Sequence, residues 1–192
     1  MSTGRLVILS APSGTGKTSI CKELRRRNKD WKFSISATTR PMREGEDEGV
    51  DYIFMDVHKF EHYVKFGDFI EWEWVHGNKY GTLIGPVEDA IDDGEVMMFE
   101  IDVKGAVSLM DEFPDNCLSI FIIPPGEDME EQLESLEERL MKRGKESKTI
   151  IKRRLKRFAL EIEYQDKFNH TVVNDDFETT VSKLEKIIKD IL

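Results

Sequence analysis

The chain has 192 residues, with 38 acidic against 28 basic side chains and a formal charge of −10. That length suits one domain with a substantial core, and the acidity argues against a general nucleic-acid binder. No stretch reaches the roughly 18 apolar residues of a membrane-spanning helix, and the two cysteines, Cys21 and Cys117, form neither a disulfide framework nor a metal-ligand spacing. The opening Met1-Ser2-Thr3-Gly4-Arg5 runs directly into an apolar segment and leaves no room for a signal peptide, so a cytoplasmic protein is expected.

Leu6 to Leu9 is an apolar run short enough to be a buried strand, and Ser10-Ala11-Pro12-Ser13-Gly14-Thr15-Gly16-Lys17-Thr18 follows it. A strand, a Gly-containing loop ending in Gly-Lys-Thr and an immediate helix are the setting of a phosphate-binding loop. Gly14 and Gly16 let backbone N–H groups turn inward around phosphate oxygens. Lys17 is expected to reach the β- and γ-phosphates, and the Thr18 hydroxyl to bind Mg²⁺. Ala11 stands where the general pattern has glycine. Helical spacing runs from Lys17 to about Asn28, its basic end suiting the helix dipole.

Phe33 to Ser36 alternates like a short strand, and Thr38 to Gly49, almost without apolar residues, reads as a long exposed loop. Tyr52-Ile53-Phe54 predicts a strand, Val57–Phe66 a helix, Phe69–Val75 a strand with a turn at His76-Gly77-Asn78, and Pro86–Ile91 a helix. Val96–Asp102 is an apolar strand with Glu100 and Asp102 on one side of its C-terminal end. Leu118–Ile123 is another strand. Glu127–Lys148 is charged and helical, and its narrow stripe of Leu133, Leu136 and Leu140 predicts light packing. Ile150–Tyr164 is amphipathic, Thr171–Val173 a last strand, and Asp176 the cap of a final helix to Leu192. Apolar strands alternating with helices predict an α/β fold with a parallel sheet flanked by helices. The region richer in short strands predicts an inserted subdomain.

Arg40 and Arg43 lie three residues apart across Pro41 in the long loop. Guanidinium forks suit phosphate bidentately, so this pair points to a second phosphorylated substrate. Taken in order, the motifs of this chain resemble the guanylate kinase family over nearly its whole length. They are Ser-Ala-Pro-Ser-Gly-Thr-Gly-Lys-Thr at 10–18, Thr-Thr-Arg-Pro-Met-Arg-Glu-Gly-Glu at 38–46, Gly49-Val50-Asp51-Tyr52 and Phe69-Ile70-Glu71-Trp72. Gly77-Asn78-Lys79-Tyr80-Gly81-Thr82, Ile101-Asp102-Val103-Lys104-Gly105, Arg139-Leu140 with Arg143-Gly144, and Val172-Val173-Asn174-Asp175-Asp176 complete the series.

The resemblance implies a P-loop core over about 1–33, 93–125 and 150–192, a GMP-binding subdomain over about 34–92 and a helical lid over about 126–149. It implies reversible phosphoryl transfer from ATP to GMP, and to dGMP, with Mg²⁺, in purine nucleotide metabolism. Neither nucleic acid nor membrane is expected as a partner, and a monomer or homodimer is expected. ATP would be held by Ser13, Gly14, Thr15, Gly16, Lys17, Thr18, Arg139 and Asn174. The GMP phosphate would be held by Arg40, Arg43, Tyr52 and Tyr80, with Glu46 orienting the arginines. The guanine pocket would be Ser36, Glu71, Thr82 and Asp102, since a carboxylate accepts both the N1–H and N2–H₂ donors of guanine but finds no donor at N1 of adenine. Lys17, Arg40, Arg143 and Arg154 would surround the transferred group, and Glu100 would reach Mg²⁺ through water. Between Pro125 and Arg143 the chain carries several residues more than the family's usual pattern. Two related readings stay open: a kinase for ribose 1,5-bisphosphate and a non-catalytic phosphopeptide-binding module. Glu71, Tyr80 and Thr82 argue against the first, and the intact Gly16-Lys17-Thr18 with the lid arginines against the second.

Overall fold

A computed structural model describes residues 4–75, 77–144 and 147–191, with Arg143 described for its backbone only. The central sheet is five-stranded and parallel, in the order β2 (Lys32–Phe33), β7 (Val96–Glu100), β1 (Arg5–Ser10), β8 (Cys117–Ile123) and β9 (His170–Val173). Its middle strands are buried on both faces, which is why they read as unbroken apolar runs. Alternate residues serve two layers. Val7, Leu9, Ile120, Ile122 and Val172 pack with Ile20 and Leu24 of α1 (Lys17–Arg27) and with Val181, Leu184 and Ile188 of α7 (Phe177–Lys189). Leu6, Ile8, Phe99 and Phe121 pack with Val87 and Ala90 of α3 (Gly85–Asp92) and with Val103, Ala106 and Leu109 of α4 (Val103–Glu112). Each fully buried aliphatic side chain contributes about 1.5–3 kcal/mol of transfer free energy. This sandwich fixes the C-terminal ends of β1 and β7, where the candidate site sits.

A second sheet has the order β4 (Ile53–Phe54), β3 (Ala37–Thr38), β6 (Asn78–Leu83) and β5 (Phe69–Val75). Its core of Ala37, Met55 and Phe60 is closed by α2 (Val57–Phe66), whose Phe60 ring stacks on Phe69 at 4.4 Å. A helical pair, α5 (Met129–Arg143) and α6 (Lys148–Glu161), encloses Leu136, Leu140, Ile151 and Phe158. A 3₁₀ turn over Ile162–Lys167 leads on to β9.

The structure departs from the sequence reading in five places. The strand expected over Phe33–Ser36 is split: Phe33 pairs with Met98 in the central sheet, Ser34 donates to the Met98 carbonyl, and by Ala37 the chain has crossed to the second sheet. β6 was not expected, because Asn-Lys-Tyr-Gly-Thr has almost no apolar alternation. It forms because Gly81 lets the β5 backbone approach; a Cβ there would lie 2.8 Å from the Glu71 carbonyl oxygen. The helix expected over Glu127–Lys148 is shorter, Met129–Arg143, and the next one, expected over Ile150–Tyr164, runs over Lys148–Glu161. Asp128 caps α5 by accepting from Glu130 and Glu131, and Gly144, at φ 62°, ends it. That segment does not pack lightly, since Leu136 and Leu140 are fully buried. Asp102 is not on the strand with Glu100; it is the N-cap of α4. His76 of the expected turn lies outside the described residues. The caps predicted at Asp176 and the limits of α2 and β5 agree with the structure.

Candidate active site

β1 ends at Ser10 and hands the chain to a loop whose Gly14 and Gly16 stand at φ 103° and 100°. That left-handed backbone favours glycine, and a larger residue would push neighbouring side chains aside. A Cβ on Gly14 would meet Leu136 Cδ1 at 2.8 Å, and one on Gly16 would meet Asn174 Nδ2 at 2.8 Å. The loop is braced from inside and outside. The Thr15 hydroxyl donates to the Pro12 carbonyl at 2.8 Å, and Asn174 Nδ2 donates to the Thr15 carbonyl at 2.6 Å. α1 starts at Lys17 with no acid of its own in the first turn, so its N-terminus offers partial positive charge to an anion. Lys17 Nζ donates to the Ile101 carbonyl at 2.6 Å. Burial holds its pKa below the ordinary lysine value, against the pull of the nearby Glu100 carboxylate. The Thr18 hydroxyl donates to Glu100.

α6 lies over this loop. Arg154 Nη1 donates to Ser13 Oγ at 3.1 Å, and Glu161 Oε2 accepts the Ser13 N–H at 3.2 Å. Arg157 Nε donates to Glu161 Oε1 at 2.6 Å, and its Nη2 stands 3.7 Å from Asp102 Oδ2. Together with Lys17, Thr18 and Leu140 these residues line a cleft of about 650 Å³. Arg139 Nη2 donates to the Asp175 carbonyl at 3.3 Å, and with Thr15, Gly16 and Asn174 it borders a second hollow of about 360 Å³. Arg143 closes α5, and its side chain lies outside the described residues.

The long loop carries the second cluster. Arg40, only 9% exposed, forms a bidentate pair with Glu46: Nη1 to Oε2 at 2.9 Å and Nη2 to Oε1 at 2.7 Å. The hydrogen bonds to Glu46 raise the Arg40 pKa, and the same guanidinium lowers that of Glu46. The loop is therefore not wholly exposed, since Thr38 and Arg40 are buried in it. Arg43 does not converge with Arg40 as expected. It is exposed, and its backbone N–H donates to Glu46 at 2.8 Å. Arg40 Cζ lies 5.2 Å from the centre of the Tyr52 ring, which meets the Tyr80 ring edge-on at 5.9 Å. Burial raises the Tyr52 pKa. Ser36, Tyr52, Thr18 and Glu100 line one gap of about 370 Å³, which joins this cluster to the phosphate loop.

Glu71 of β5 faces Thr82 of β6 across the hairpin, and the Thr82 hydroxyl donates to Glu71 Oε1 at 2.7 Å. Burial raises the Glu71 pKa, Thr82 works against that shift, and the charge of Asp102 adds to it. Gly105 sits behind the carboxylate: a Cβ there would lie 3.3 Å from Glu71 Cδ. Arg157 and Glu161 were not among the residues expected from sequence. Their spacing of four on a helix is readable as an ion pair, but nothing local signals that Ser13 completes it.

The Thr18 hydroxyl and the Glu100 carboxylate are hard oxygen donors and fit a divalent cation. Among the described residues no group of three or more His, Cys, Asp or Glu side chains is placed to hold one.

A parallel sheet with a Gly-Lys-Thr loop between β1 and α1, a helical pair above it and an arginine-lined second cluster define a P-loop phosphotransferase. The guanylate kinase family model matches residues 3–191, and the chain belongs to the guanylate kinase family. It is 42% identical to the guanylate kinase of Chlorobium luteolum, over 98% of this chain and 93% of that one. It is 40% identical to the guanylate kinase of Fusobacterium nucleatum, over 99% and 98%. The crystal structure of guanylate kinase from Anaplasma phagocytophilum superimposes with a TM-score of 0.74 at 32% identity, over 98% of this chain and 86% of that one. Kinases of this family use ATP and GMP with a divalent metal.

Proposed function

We propose that this protein transfers the γ-phosphoryl group of ATP to GMP, and also to dGMP, giving ADP and GDP reversibly. The observation that carries this reading is the acceptor side. A half-buried carboxylate oriented by a hydroxyl, Glu71 with Thr82, sits on the sheet whose β3 and β4 flank the loop of the Arg40–Glu46–Tyr52 cluster. Glu71 and Asp102, with Thr82 and Ser36, read the guanine edge. Arg40, held flat by Glu46 and walled by Tyr52 and Tyr80, receives the phosphate, and the exposed Arg43 swings in to it.

The donor side is the phosphate loop. Backbone N–H groups from Ser13 to Thr18 cradle the ATP phosphates, Lys17 neutralises the β- and γ-oxygens, and Asn174 with Arg139 borders the adenine. Thr18 and, through water, Glu100 would hold Mg²⁺, which would supply charge neutralisation at the phosphates. The GMP phosphate is already a nucleophile, so this chain need only align it and screen charge. Lys17, Arg40, Arg143 and Arg154 surround the transferred group in this scheme. The second-sheet region, about 34–92, acts as the GMP-binding subdomain on the core of about 1–33, 93–125 and 150–192. The helical segment of about 126–149 acts as the lid. Their closure excludes water, which limits ATP hydrolysis. Both substrates are cytoplasmic metabolites, and the reaction is assigned to the cytoplasm.

The test is a coupled ADP-release assay comparing GMP, dGMP, AMP, UMP and ribose 1,5-bisphosphate with Mg²⁺ and ATP. GMP should give by far the fastest release. A rate with GMP no higher than with AMP would remove the substrate assignment.

A further inference from the structure

Glu161 closes α6 and is only 6% exposed. A carboxylate so far from water must be paired and hydrogen-bonded or its burial is costly. Both of its oxygens are engaged: Oε2 takes the Ser13 N–H of the phosphate loop, and Oε1 takes Arg157 Nε. Its charge also favours the protonated form of Lys17. Arg157 has a second engagement, with Nη2 3.7 Å from Asp102 Oδ2. The other Asp102 oxygen is committed, because Oδ1 accepts the N–H groups of Lys104 at 3.0 Å and Gly105 at 2.9 Å to cap α4. Oδ2 faces Arg157, and the Glu73 carboxyl of β5 also shares a hydrogen bond with Asp102, so an acceptor base would meet Asp102 beside these two neighbours. As an exposed surface pair Arg157 would be worth little. Its planar fork, however, spans two carboxylates that belong to the two ends of the reaction, which a point charge such as an ammonium does not reproduce.

We propose that Arg157 is a positioning residue that ties the two substrate sites together, holding Glu161 against the phosphate loop and Asp102 toward the acceptor base. This rests on the assignment of Asp102 to the GMP site. Through Glu161 it sets the phosphate loop and the surroundings of Lys17; through Asp102 it sets the guanine-reading oxygen. The consequence is a kinetic signature with two parts, carried by one side chain.

The experiment is steady-state kinetics of Arg157→Met with both substrates varied, alone and in double-mutant cycles with Glu161→Gln and Asp102→Asn. Arg157→Met should raise KM for ATP and KM for GMP by about fivefold each, with kcat changed less, the loss of one charge-assisted contact per site. In the Glu161→Gln background it should no longer move KM for ATP yet still raise KM for GMP; in the Asp102→Asn background the pattern should reverse. A general loss of structure would instead add in both backgrounds. Should Arg157→Met prove too unstable to assay, Arg157→Lys can reach only one of the carboxylates, so one KM should recover and the other stay raised. Arg157→Met shifting one KM alone or neither, or Arg157→Lys with both at wild-type values, overturns the coupling. Those results leave the reaction standing, whereas a wild-type protein without GMP-dependent ADP release removes the reaction itself.

Discussion

Glu71→Gln is the sharpest probe of the acceptor assignment, because it changes charge and hydrogen-bond polarity without changing shape. The Thr82 hydroxyl, 2.7 Å from Glu71 Oε1, will keep the oxygen of a glutamine on its own side. The amide NH₂ then points where guanine presents N1–H and N2–H₂, so a donor meets donors. Losing one charge-assisted bond and opposing one pair of donors costs about 3–4 kcal/mol, a fall in kcat/KM for GMP of roughly 10²- to 10³-fold. AMP should move the other way, since its N1 is an acceptor that the new NH₂ can satisfy, and discrimination between the two should narrow by more than the loss on GMP alone. Stability should not fall, because burial already disfavours the Glu71 charge. The assay is kcat/KM for GMP and AMP under identical Mg²⁺ and ATP, with a thermal melt of each protein. GMP turnover within about threefold of wild type would show that Glu71 does not read the base.

Three other outcomes follow from the same geometry. Gly14→Ala places a Cβ 2.8 Å from Leu136 Cδ1 at a φ of 103°, so it should destabilise the fold by about 1–3 kcal/mol, read as a lower urea midpoint with unchanged m. Because the Glu71 pKa is raised and the ionised form is the one that accepts from guanine, KM for GMP should climb as pH falls, starting above the usual carboxylate range. Thr82→Val removes a hydrogen bond to the charged form, raises that pKa further and should move the climb to higher pH; an unshifted profile would contradict this. Arg40→Lys keeps the charge but not the two parallel bonds to Glu46, at 2.9 and 2.7 Å, so KM for GMP should rise about tenfold or more while KM for ATP stays near wild type.

The parts of the site that could be read from sequence are those whose residues are close in the chain. Lys17, Thr18 and the two loop glycines fall within one strand-to-helix turn, and Arg40 and Glu46 share one loop. Elsewhere the chemistry depended on register or on distance. Glu71 meets Thr82 only because the β5–β6 hairpin shifts register between Phe69 and Glu71. β6 itself was invisible because it is stabilised by the room Gly81 leaves rather than by apolar alternation. Asp102 was misplaced on the strand for a physical reason also beyond local reading. The Ile101 carbonyl turns out of the ladder to accept from Lys17 Nζ and Ser10 Oγ, and the chain leaves β7 there. Glu161 reaches Ser13 across 148 residues, so no local pattern could have joined them.

Lys17 carries a cost that the empty fold bears and a nucleotide relieves. Burial lowers its pKa, and Glu100 only partly compensates, so the folded protein holds the ammonium less favourably than water does. A folded pKa below the unfolded one means that wild-type stability rises with pH across the interval between the two values. Lys17→Met keeps the volume and removes the charge. The Ile101 carbonyl it abandons still accepts from Ser10 Oγ at 3.0 Å. The unliganded variant should therefore melt at or above the wild-type temperature, by up to about 2–4 °C per kcal/mol relieved, and should lose the wild-type rise of stability with pH in the alkaline range. Phosphoryl transfer should vanish, since the cation assigned to the β- and γ-oxygens is lost. Wild type at about 100 times Kd of an ATP analogue gains about 2.7 kcal/mol of stability, and the variant should show little of that gain at the same concentration. Differential scanning fluorimetry across pH, with and without the analogue, reads the stabilities, and the ADP-release assay reads the transfer. An unliganded Lys17→Met protein melting well below wild type would mean that Lys17 is a net stabiliser, and that the loop is not built at the expense of the fold.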